Sequence, residues 1–188
     1  MSILGDNLNL PTLTKFFTTV THDKWTSGYT DPLWALSHRE LTYVNSPFND
    51  EDTLKQWKDN GHHYDKYTGD LINHNNCPDW AKGLVEGIGL DNIGVSLYKM
   101  APGCILPGHQ DTYQSYKKVF DIKHNRVYRV IVFLEDWASG HYLEVDSNPI
   151  TNWRAGDWIG WHYDTHHVAA NIGTVDRYTL QITGTYDN

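Results

Sequence analysis

The chain has 188 residues, of which 20% are charged and 39% hydrophobic, with a formal net charge of −8. These values are ordinary for a globular protein and predict a single domain over residues 1–188. The acidic balance argues against a nucleic-acid partner, because phosphate binding needs an excess of Lys and Arg. No stretch approaches the roughly 20 apolar residues of a membrane helix, and no signal-peptide pattern is visible. We therefore expect a soluble, cytoplasmic protein with no membrane partner.

Residues 1–92 carry the signals of helices and loops. Helices are predicted over Pro32–Arg39, Asn49–Asp59 and Pro78–Ile88. The second of these starts with capping residues and ends near Gly61, a helix stop signal. This part is therefore predicted to be a helical segment that packs on the rest of the domain.

From residue 93 onward the pattern changes to short strands separated by turn signals such as Pro102-Gly103 and Ser139-Gly140. Eight strands without helices between them predict a mainly β fold, a jelly roll of two sheets over residues 93–188. The predicted strands are Ile93–Met100, Cys104–Gly108, Val127–Glu135, His141–Val145, Pro149–Trp153, Asp157–His162, His167–Asn171 and Arg177–Thr185.

The last predicted strand shows the clearest alternation. Tyr178, Leu180 and Ile182 alternate with the polar residues of the run that starts at Arg177, so one face is apolar and the other polar. A polar face turned outward would be an ordinary solvated surface. A polar face turned inward would line a polar pocket, with Arg177 as its charge.

The candidate metal ligands lie in this β half. His109 and Asp111 form an H-x-D pair just after the second of the eight strands, and His167 opens the seventh. Residues two apart in an extended segment leave from the same side, so the pair can share one metal with a histidine from a neighbouring strand. Two imidazoles and one carboxylate can hold one face of a ferrous ion and leave three positions open.

Arg177 follows His167 by ten residues and offers a charge for a second ligand. Two open metal positions can take a 2-oxo acid through its ketone and carboxylate, and the third can take dioxygen. The remote carboxylate of 2-oxoglutarate then needs a planar, permanently charged partner, which an arginine provides. An H-x-D pair alone is common by chance, whereas its combination with His167 and Arg177 is more specific.

The second half of the chain resembles the 2-oxoglutarate- and Fe(II)-dependent oxygenases of the prolyl- and aspartyl-hydroxylase type. The resemblance covers about residues 93–188 and rests on the stretches YKMAPGCILPGHQD, RVYRVIVFLEDW, WRAGDWIGW and HHVAANIGTVDRYTLQITG. It implies a cupin-like double-stranded β-helix that uses Fe(II), 2-oxoglutarate and O2. It also implies hydroxylation coupled to decarboxylation of 2-oxoglutarate to succinate and CO2. Related halogenases have a small residue at the place of Asp111, so its presence favours hydroxylation or another oxidation.

Two choices between adjacent residues follow from the alternation of side chains along a strand. For the distal metal ligand, the spacing to the following Asn and Arg favours His167 over His166. The family's strand that faces the site matches the segment with Arg126, Tyr128 and Arg129. Since Tyr128 and Arg129 point to opposite faces, we predict that Tyr128, with Arg126 on its side, binds the co-substrate or the substrate.

The partner of Arg177 on the remote carboxylate differs from that in several relatives. Those relatives carry a tyrosine near the position that aligns with Phe133. A phenyl ring has no hydroxyl to donate. We therefore predict that Thr179 or Tyr98 binds the carboxylate together with Arg177.

Two other functional classes fit parts of the pattern. One is a cupin-type metal-dependent enzyme that does not use 2-oxoglutarate; such proteins usually have more His ligands and no arginine at the place of Arg177. The other is a non-catalytic jelly roll that binds carbohydrate or another ligand through exposed Trp and Tyr, since 13% of the residues are aromatic. For the oxygenase, the substrate is predicted to be a small molecule or a peptidyl Pro, Asp or Asn.

Overall fold

The structure is a computed structural model that describes residues 38–41, 55–56, 58–59, 69–74 and 88–186. These ranges contain ten β-strands, β1–β10, the short helix α1 and four helical residues between 55 and 59. In chain order they are β1 His38–Leu41, β2 Gly69–His74, β3 Asp91–Met100, β4 Cys104–His109, α1 Gln114–Val119, β5 Val127–Phe133, β6 His141–Val145, β7 Asn148–Ile150, β8 Trp158–His162, β9 His167–Asn171 and β10 Arg177–Thr185.

The strands form two antiparallel sheets. The larger sheet has the order β1-β2-β3-β10-β5-β8, and the smaller has the order β4-β9-β6-β7. From β3 to β10 the chain passes from one sheet to the other at each step, apart from the β6–β7 hairpin. Eight strands distributed in this way form a jelly roll, and the predicted mainly β fold is confirmed.

The eight strands predicted for the second half are all present, with small shifts at their ends. The prediction that no helix lies between them is wrong, because α1 follows β4. This helix starts after Tyr113, whose backbone is in the left-handed region at φ 54°, and no side chain caps it. In the part of the chain that the structure describes, no helix is both long and apolar enough to cross a membrane.

The first half differs from the prediction where it is described. β1 and β2 extend the larger sheet from β3, and His38 and Arg39 are in a strand, so the predicted helix Pro32–Arg39 is wrong at this end. Gly, Asp and Asn in Gly69–His74 disfavour a strand. The unpaired backbone groups along the edge of β3 offer hydrogen bonds that override this preference.

The other two predicted helices are described only in part. The described residues of Asn49–Asp59 are helical, namely Lys55, Gln56, Lys58 and Asp59, in agreement with the prediction. Residues 78–87 of the third helix lie outside the described residues. Whether a helical segment packs on the jelly roll therefore stays a prediction.

Side chains from both sheets form the core between them. Phe133 of β5 stacks on Trp153, with ring centroids 4.0 Å apart and an interplanar angle of 10°. Burial of such rings removes apolar area from water at a gain of roughly 25 cal/mol per Å2. The buried cluster consists of Tyr98, Met100, Cys104, Leu106, Ile131, Phe133, Leu143, Val145, Ile150, Trp153, Ile159, Trp161 and Ala169. Several of these residues also line the cavity described below, so the core itself supports the site.

β10 occupies a central position in the larger sheet, hydrogen-bonded to β3 on one side and to β5 on the other. Leu180 and Ile182 are fully buried on one of its faces. The opposite face directs Arg177, Thr179 and Gln181 into a cavity between the sheets. The polar face of this strand is therefore the inward one.

Candidate metal centre

Two neighbouring strands of the smaller sheet bring the predicted metal ligands together. His109 is the last residue of β4, and His167 is the first residue of β9, directly opposite it in the ladder. Their ring centroids lie 4.4 Å apart. Asp111 follows two residues after His109, where the chain leaves the sheet. Residues far apart in sequence thus meet because β4 and β9 pair.

The ligand atoms of this triad converge. His109 Nε2 lies 3.4 Å from Asp111 Oδ1, and His167 Nε2 lies 3.8 Å from Asp111 Oδ2. The potential ligand atoms of the three residues all lie within 4.8 Å of one another. Ligands about 2.1 Å from a shared metal and at right angles to each other would lie about 3 Å apart, so small shifts would suffice to bind one ion.

Backbone carbonyls orient both imidazoles. His109 Nδ1 lies 2.7 Å from the carbonyl oxygen of Pro107, and His167 Nδ1 lies 3.1 Å from that of Thr165. A carbonyl accepts a hydrogen bond, so Nδ1 of each neutral ring carries the proton and donates it. The lone pair is then on Nε2, directed at the convergence point, as in metal-binding histidines.

The protonation states of the triad suit metal binding. Burial lowers the pKa of His167 to about 4, and the neighbouring His109 adds to this effect. Burial by itself would raise the pKa of Asp111, but the neighbouring His109 and His167 and the charge of Arg129 outweigh it and hold that pKa well below its usual range. A neutral imidazole and an ionised carboxylate are the forms that bind metals.

A cavity extends from the triad into the space between the sheets. It comprises about 550 Å3 of unfilled space, part of it open to solvent. Its polar lining consists of Tyr98, His109, Asp111, Arg129, His167, Arg177, Thr179 and Gln181, and its apolar lining of Leu106, Ile131, Phe133, Leu143, Trp161 and Ala169.

Arg177 lines this cavity and is 5% exposed. Its Nη1 donates a hydrogen bond of 2.6 Å to the carbonyl oxygen of Tyr142, and its buried Nε has no hydrogen-bond partner among the described residues. Burial lowers the pKa of Arg177 to about 10, so the guanidinium stays charged at neutral pH. A buried guanidinium with an N–H group that has no partner among the described residues suits an anionic ligand.

Tyr98, Thr179 and Phe133 form a row across three adjacent strands. Thr179 of β10 is opposite Tyr98 in β3 and Phe133 in β5. All three line the cavity together with Arg177. The two residues predicted to accompany Arg177 are therefore next to it, and Phe133 contributes an apolar wall.

The structure places two of the predicted co-substrate residues elsewhere. Tyr128 is fully buried on the opposite face of β5, where its ring contacts those of His162 and Tyr186. Arg126 precedes β5 and is not part of the cavity lining. The choice of Tyr128 over Arg129 is therefore wrong, because β5 pairs with β10 in a register that turns Arg129 inward.

Arg129, which the sequence analysis passed over in favour of Tyr128, and Gln181, which it did not select, both line the site. Arg129 Nη2 lies 3.3 Å from Asp111 Oδ2, and its Nη1 donates to Gln181 Oε1 at 2.8 Å. The sequence did contain a signal. Arg129 and Phe133 are four residues apart in one strand and therefore point to the same face, and Phe133 aligns near a site tyrosine of several relatives. Of the adjacent histidines, His167 is buried in the triad and His166 is exposed; the assignment of His167 as the distal metal ligand stays a prediction.

Gln110, the middle residue of the H-x-D pair, links this segment to two others. Its backbone N donates to Gln56 Oε1 at 3.2 Å, and its side-chain amide donates to the carbonyl oxygen of Asp164 at 2.5 Å. The second bond reaches the loop that leads into His167. Gln110 therefore ties together the two segments that carry the triad.

Comparisons with known proteins identify no family. No family model matches the chain, and neither does any curated protein. Among solved structures, a cupin protein from Bacteroides fragilis is 17% identical over 53% of this chain and 71% of its own, with a TM-score of 0.37. KdgF from Halomonas sp. is 12% identical over 69% of this chain and 91% of its own, with a TM-score of 0.40. A predicted oxalate decarboxylase from Thermotoga maritima is 13% identical over 62% of this chain and 84% of its own, with a TM-score of 0.38.

Proposed function

We propose that this protein is an oxygenase that uses Fe(II), O2 and 2-oxoglutarate to hydroxylate a small molecule or a peptidyl side chain. One observation carries the proposal. The triad of His109, Asp111 and His167 shares a cavity with a buried arginine, Arg177, that has a donor left for an anion. A metal and an organic dianion can therefore be held side by side.

The donor set of the triad fits Fe(II). Two neutral imidazoles and one carboxylate occupy one face of an octahedral ion, and three positions remain for exchangeable ligands. Such a centre, when bound, activates O2 for oxidation at the expense of a 2-oxo acid. His109, Asp111 and His167 would hold the ion, and the carbonyls of Pro107 and Thr165 keep both rings in place.

The surroundings of Arg177 fit the remote carboxylate of 2-oxoglutarate. Arg177 supplies the charge, and Thr179 and Tyr98 line the cavity beside it with hydroxyl groups. Leu106, Ile131 and Phe133 contribute apolar walls that would contact the methylene groups of the co-substrate and exclude water. A guanidinium in such surroundings binds an anion more strongly than it would in water.

The more exposed side of the triad is that of Asp111 and Arg129, since the side chains of His109 and His167 are only 2% and 9% exposed. The side chains of Asp111 and Arg129 are 22% and 15% exposed, whereas Arg177 is 5% exposed. A co-substrate that enters with its remote carboxylate first would reach Arg177 and leave its 2-oxo acid group at the metal. The substrate would then approach from the solvent side, next to Asp111 and Arg129.

A second function is a cupin-type metal enzyme that does not use 2-oxoglutarate. The observation that favours it is the hydrogen bond from Arg177 to the Tyr142 carbonyl, which gives the arginine a structural partner. In that case the cavity beside Arg177 would hold another ligand or none. Both functions would use the metal triad, so a measurement of 2-oxoglutarate binding is needed to distinguish them.

The test is a titration of the Fe(II)-loaded protein with 2-oxoglutarate in the absence of oxygen, followed by visible absorption. We expect a weak charge-transfer band that saturates, disappears in His109→Ala, weakens in Arg177→Ala and persists in His166→Ala. Succinate release after oxygen is admitted would then allow substrates to be screened. Binding of iron without such a band would reject the 2-oxoglutarate proposal in favour of the cupin-type enzyme, and failure to bind iron would reject both.

A further inference from the structure

Arg129 is a second arginine in the cavity, and three neighbours hold it at the metal end. Its Nη2 lies 3.3 Å from Asp111 Oδ2, and its Nη1 donates to Gln181 Oε1 at 2.8 Å. Its Cζ lies 5.1 Å from the centre of the Tyr113 ring, within the range of a cation–π contact. The guanidinium is therefore oriented by the protein before any ligand binds.

The larger sheet accounts for this arrangement. Arg129 of β5 is opposite Thr183 of β10, and Gln181 is opposite Ile131, so Arg129 and Gln181 are diagonal neighbours on the inward face. Long side chains reach each other across such a diagonal. The contact with Asp111 crosses from this sheet to the end of β4. Arg129 therefore connects the metal ligand to the opposite sheet.

The two oxygens of Asp111 have different surroundings. Oδ1 lies 3.4 Å from His109 Nε2, whereas Oδ2 lies 3.3 Å from Arg129 Nη2 and 3.8 Å from His167 Nε2. A hydrogen bond from a guanidinium engages a lone pair of Oδ2 and neutralises part of its charge. Oδ1 has no comparable cationic neighbour among these contacts and is the better donor to a metal.

We propose that Arg129 is a positioning residue that restricts Asp111 to metal binding through one oxygen, so that three positions stay open on the ion. A carboxylate that bound through both oxygens would take one of those positions. A chelating ligand that needs two adjacent positions would then compete with the protein. This inference rests on the metal site of the proposed function, but it does not require that the chelating ligand be 2-oxoglutarate.

The test uses Co(II), whose visible spectrum responds to coordination number and geometry, and oxalate as the chelating ligand. Both carboxylates of oxalate bind the metal, and none remains for Arg177. Wild type is compared with Arg129→Gln and Arg129→Lys. Arg154→Gln is the matched control, since Arg154 forms an exposed ion pair with Asp136 at 3.0 Å and does not line the cavity.

We expect Arg129→Gln to change the Co(II) spectrum before oxalate is added and to raise the Kd for oxalate about tenfold, the scale typical of residues that support metal ligands. Arg129→Lys keeps the charge but lacks the planar guanidinium. Its Co(II) spectrum and its Kd for oxalate should lie between those of Arg129→Gln and those of wild type. Gln181→Met, which removes the second partner of the guanidinium, should shift both quantities in the same direction by a smaller factor. If Arg129→Gln does not fold, the Gln181→Met variant still tests the proposed role of Arg129.

Identical spectra and oxalate affinities in wild type, Arg129→Gln and Gln181→Met would overturn the inference while leaving the proposed function intact. If wild type binds Co(II) and oxalate but never 2-oxoglutarate, the proposed function fails, and a change in Arg129→Gln would still support the role of Arg129. Failure of wild type to bind Co(II) would overturn both.

Discussion

His109 and His167 face each other across the β4–β9 ladder because of a one-residue irregularity in β4. Leu106 pairs with Ala169, and a regular antiparallel register would place Gly108 opposite His167. The ladder instead shifts between Leu106 and His109, so that His109 takes this position. A shift of one residue reverses the face to which a side chain points. The bulge therefore decides that both imidazoles point to the same site.

Replacement of His167 should abolish metal binding, and replacement of His166 should not. His167→Ala removes one of three converging ligands, so the Kd for Co(II) should rise by more than the 10–100-fold typical of supporting residues. His166 is exposed and outside the triad, so His166→Ala should bind Co(II) like wild type. Isothermal titration calorimetry of both variants measures the difference. Equal losses in the two variants would contradict the assignment of the distal ligand.

Replacement of Arg177 should weaken co-substrate binding without lowering the stability of the metal-free protein. Arg177→Met removes a charge that burial destabilises, and apolar replacements of buried ionic groups are often neutral or stabilising. We expect urea unfolding of the metal-free protein to show no loss of stability. The affinity of the metal-loaded protein for 2-oxoglutarate should fall at least about 30-fold, because loss of a buried charged partner costs about 2–5 kcal/mol.

Arg126→Met is the matched control for that experiment. Arg126 belongs to the same segment as the family's co-substrate residues but does not line the cavity. Its replacement should leave 2-oxoglutarate affinity unchanged. A loss of affinity in Arg126→Met as large as in Arg177→Met would show that the cavity is not the co-substrate site.

The stability of the metal-free protein should fall between pH 6.5 and 4. The pKa of His167 is lowered by burial to about 4, from 6.5 in the unfolded chain, so the unfolded state binds more protons in this interval. The contribution is fully present above pH 6.5 and is lost as the pH falls toward 4, with a slope of up to about 1.4 kcal/mol per pH unit for one group. Burial also lowers the pKa of His141, which adds a slope of the same sign.

Unfolding midpoints at a series of pH values test this, with His167→Asn and His166→Asn compared with wild type. His167→Asn should flatten the slope without removing it, since His141 still titrates. His166→Asn should keep the slope of wild type. A slope unaffected by His167→Asn would contradict the lowered pKa.

Gly140→Ala should destabilise the protein more than Gly103→Ala. Both glycines have positive φ, 93° and 87°, which costs about 1–3 kcal/mol for a residue with a side chain. A Cβ on Gly140 would also lie 2.3 Å from the backbone N of Gly173, whereas a Cβ on Gly103 would meet nothing within 4 Å. The difference in the free energy of unfolding between the two variants measures the steric contribution. Equal losses would show that the Gly140–Gly173 approach is not close in solution.

Most of the β half could be predicted because its signals are local. Alternation along β10 identified the polar set that contains Arg177 and Thr179, and the H-x-D spacing identified a pair able to share a metal. Turn residues such as Gly103 and Gly140 marked the ends of strands, and both have the positive φ that glycine tolerates. Each of these inferences needs only the residue types and their distance along the chain.

The incorrect predictions concern features that depend on pairing between strands rather than on local signals. Alternation shows that Tyr128 and Arg129 point to opposite faces, but it does not say which face is inward. That depends on the register between β5 and β10, two strands about fifty residues apart in sequence. Similarly, Gly69–His74 contains residues that disfavour strands, and it becomes β2 because the edge of β3 is available.

The sequence by itself therefore determined the strands of the jelly roll, the candidate ligands His109, Asp111 and His167, and the arginine ten residues further on. The tertiary structure decided that the polar face of β10 is inward, that a bulge aligns His109 with His167, and that Arg129 rather than Tyr128 faces Asp111. The physical reason is that side-chain periodicity is a property of one strand, whereas the face that meets the cavity is set by hydrogen bonding between strands.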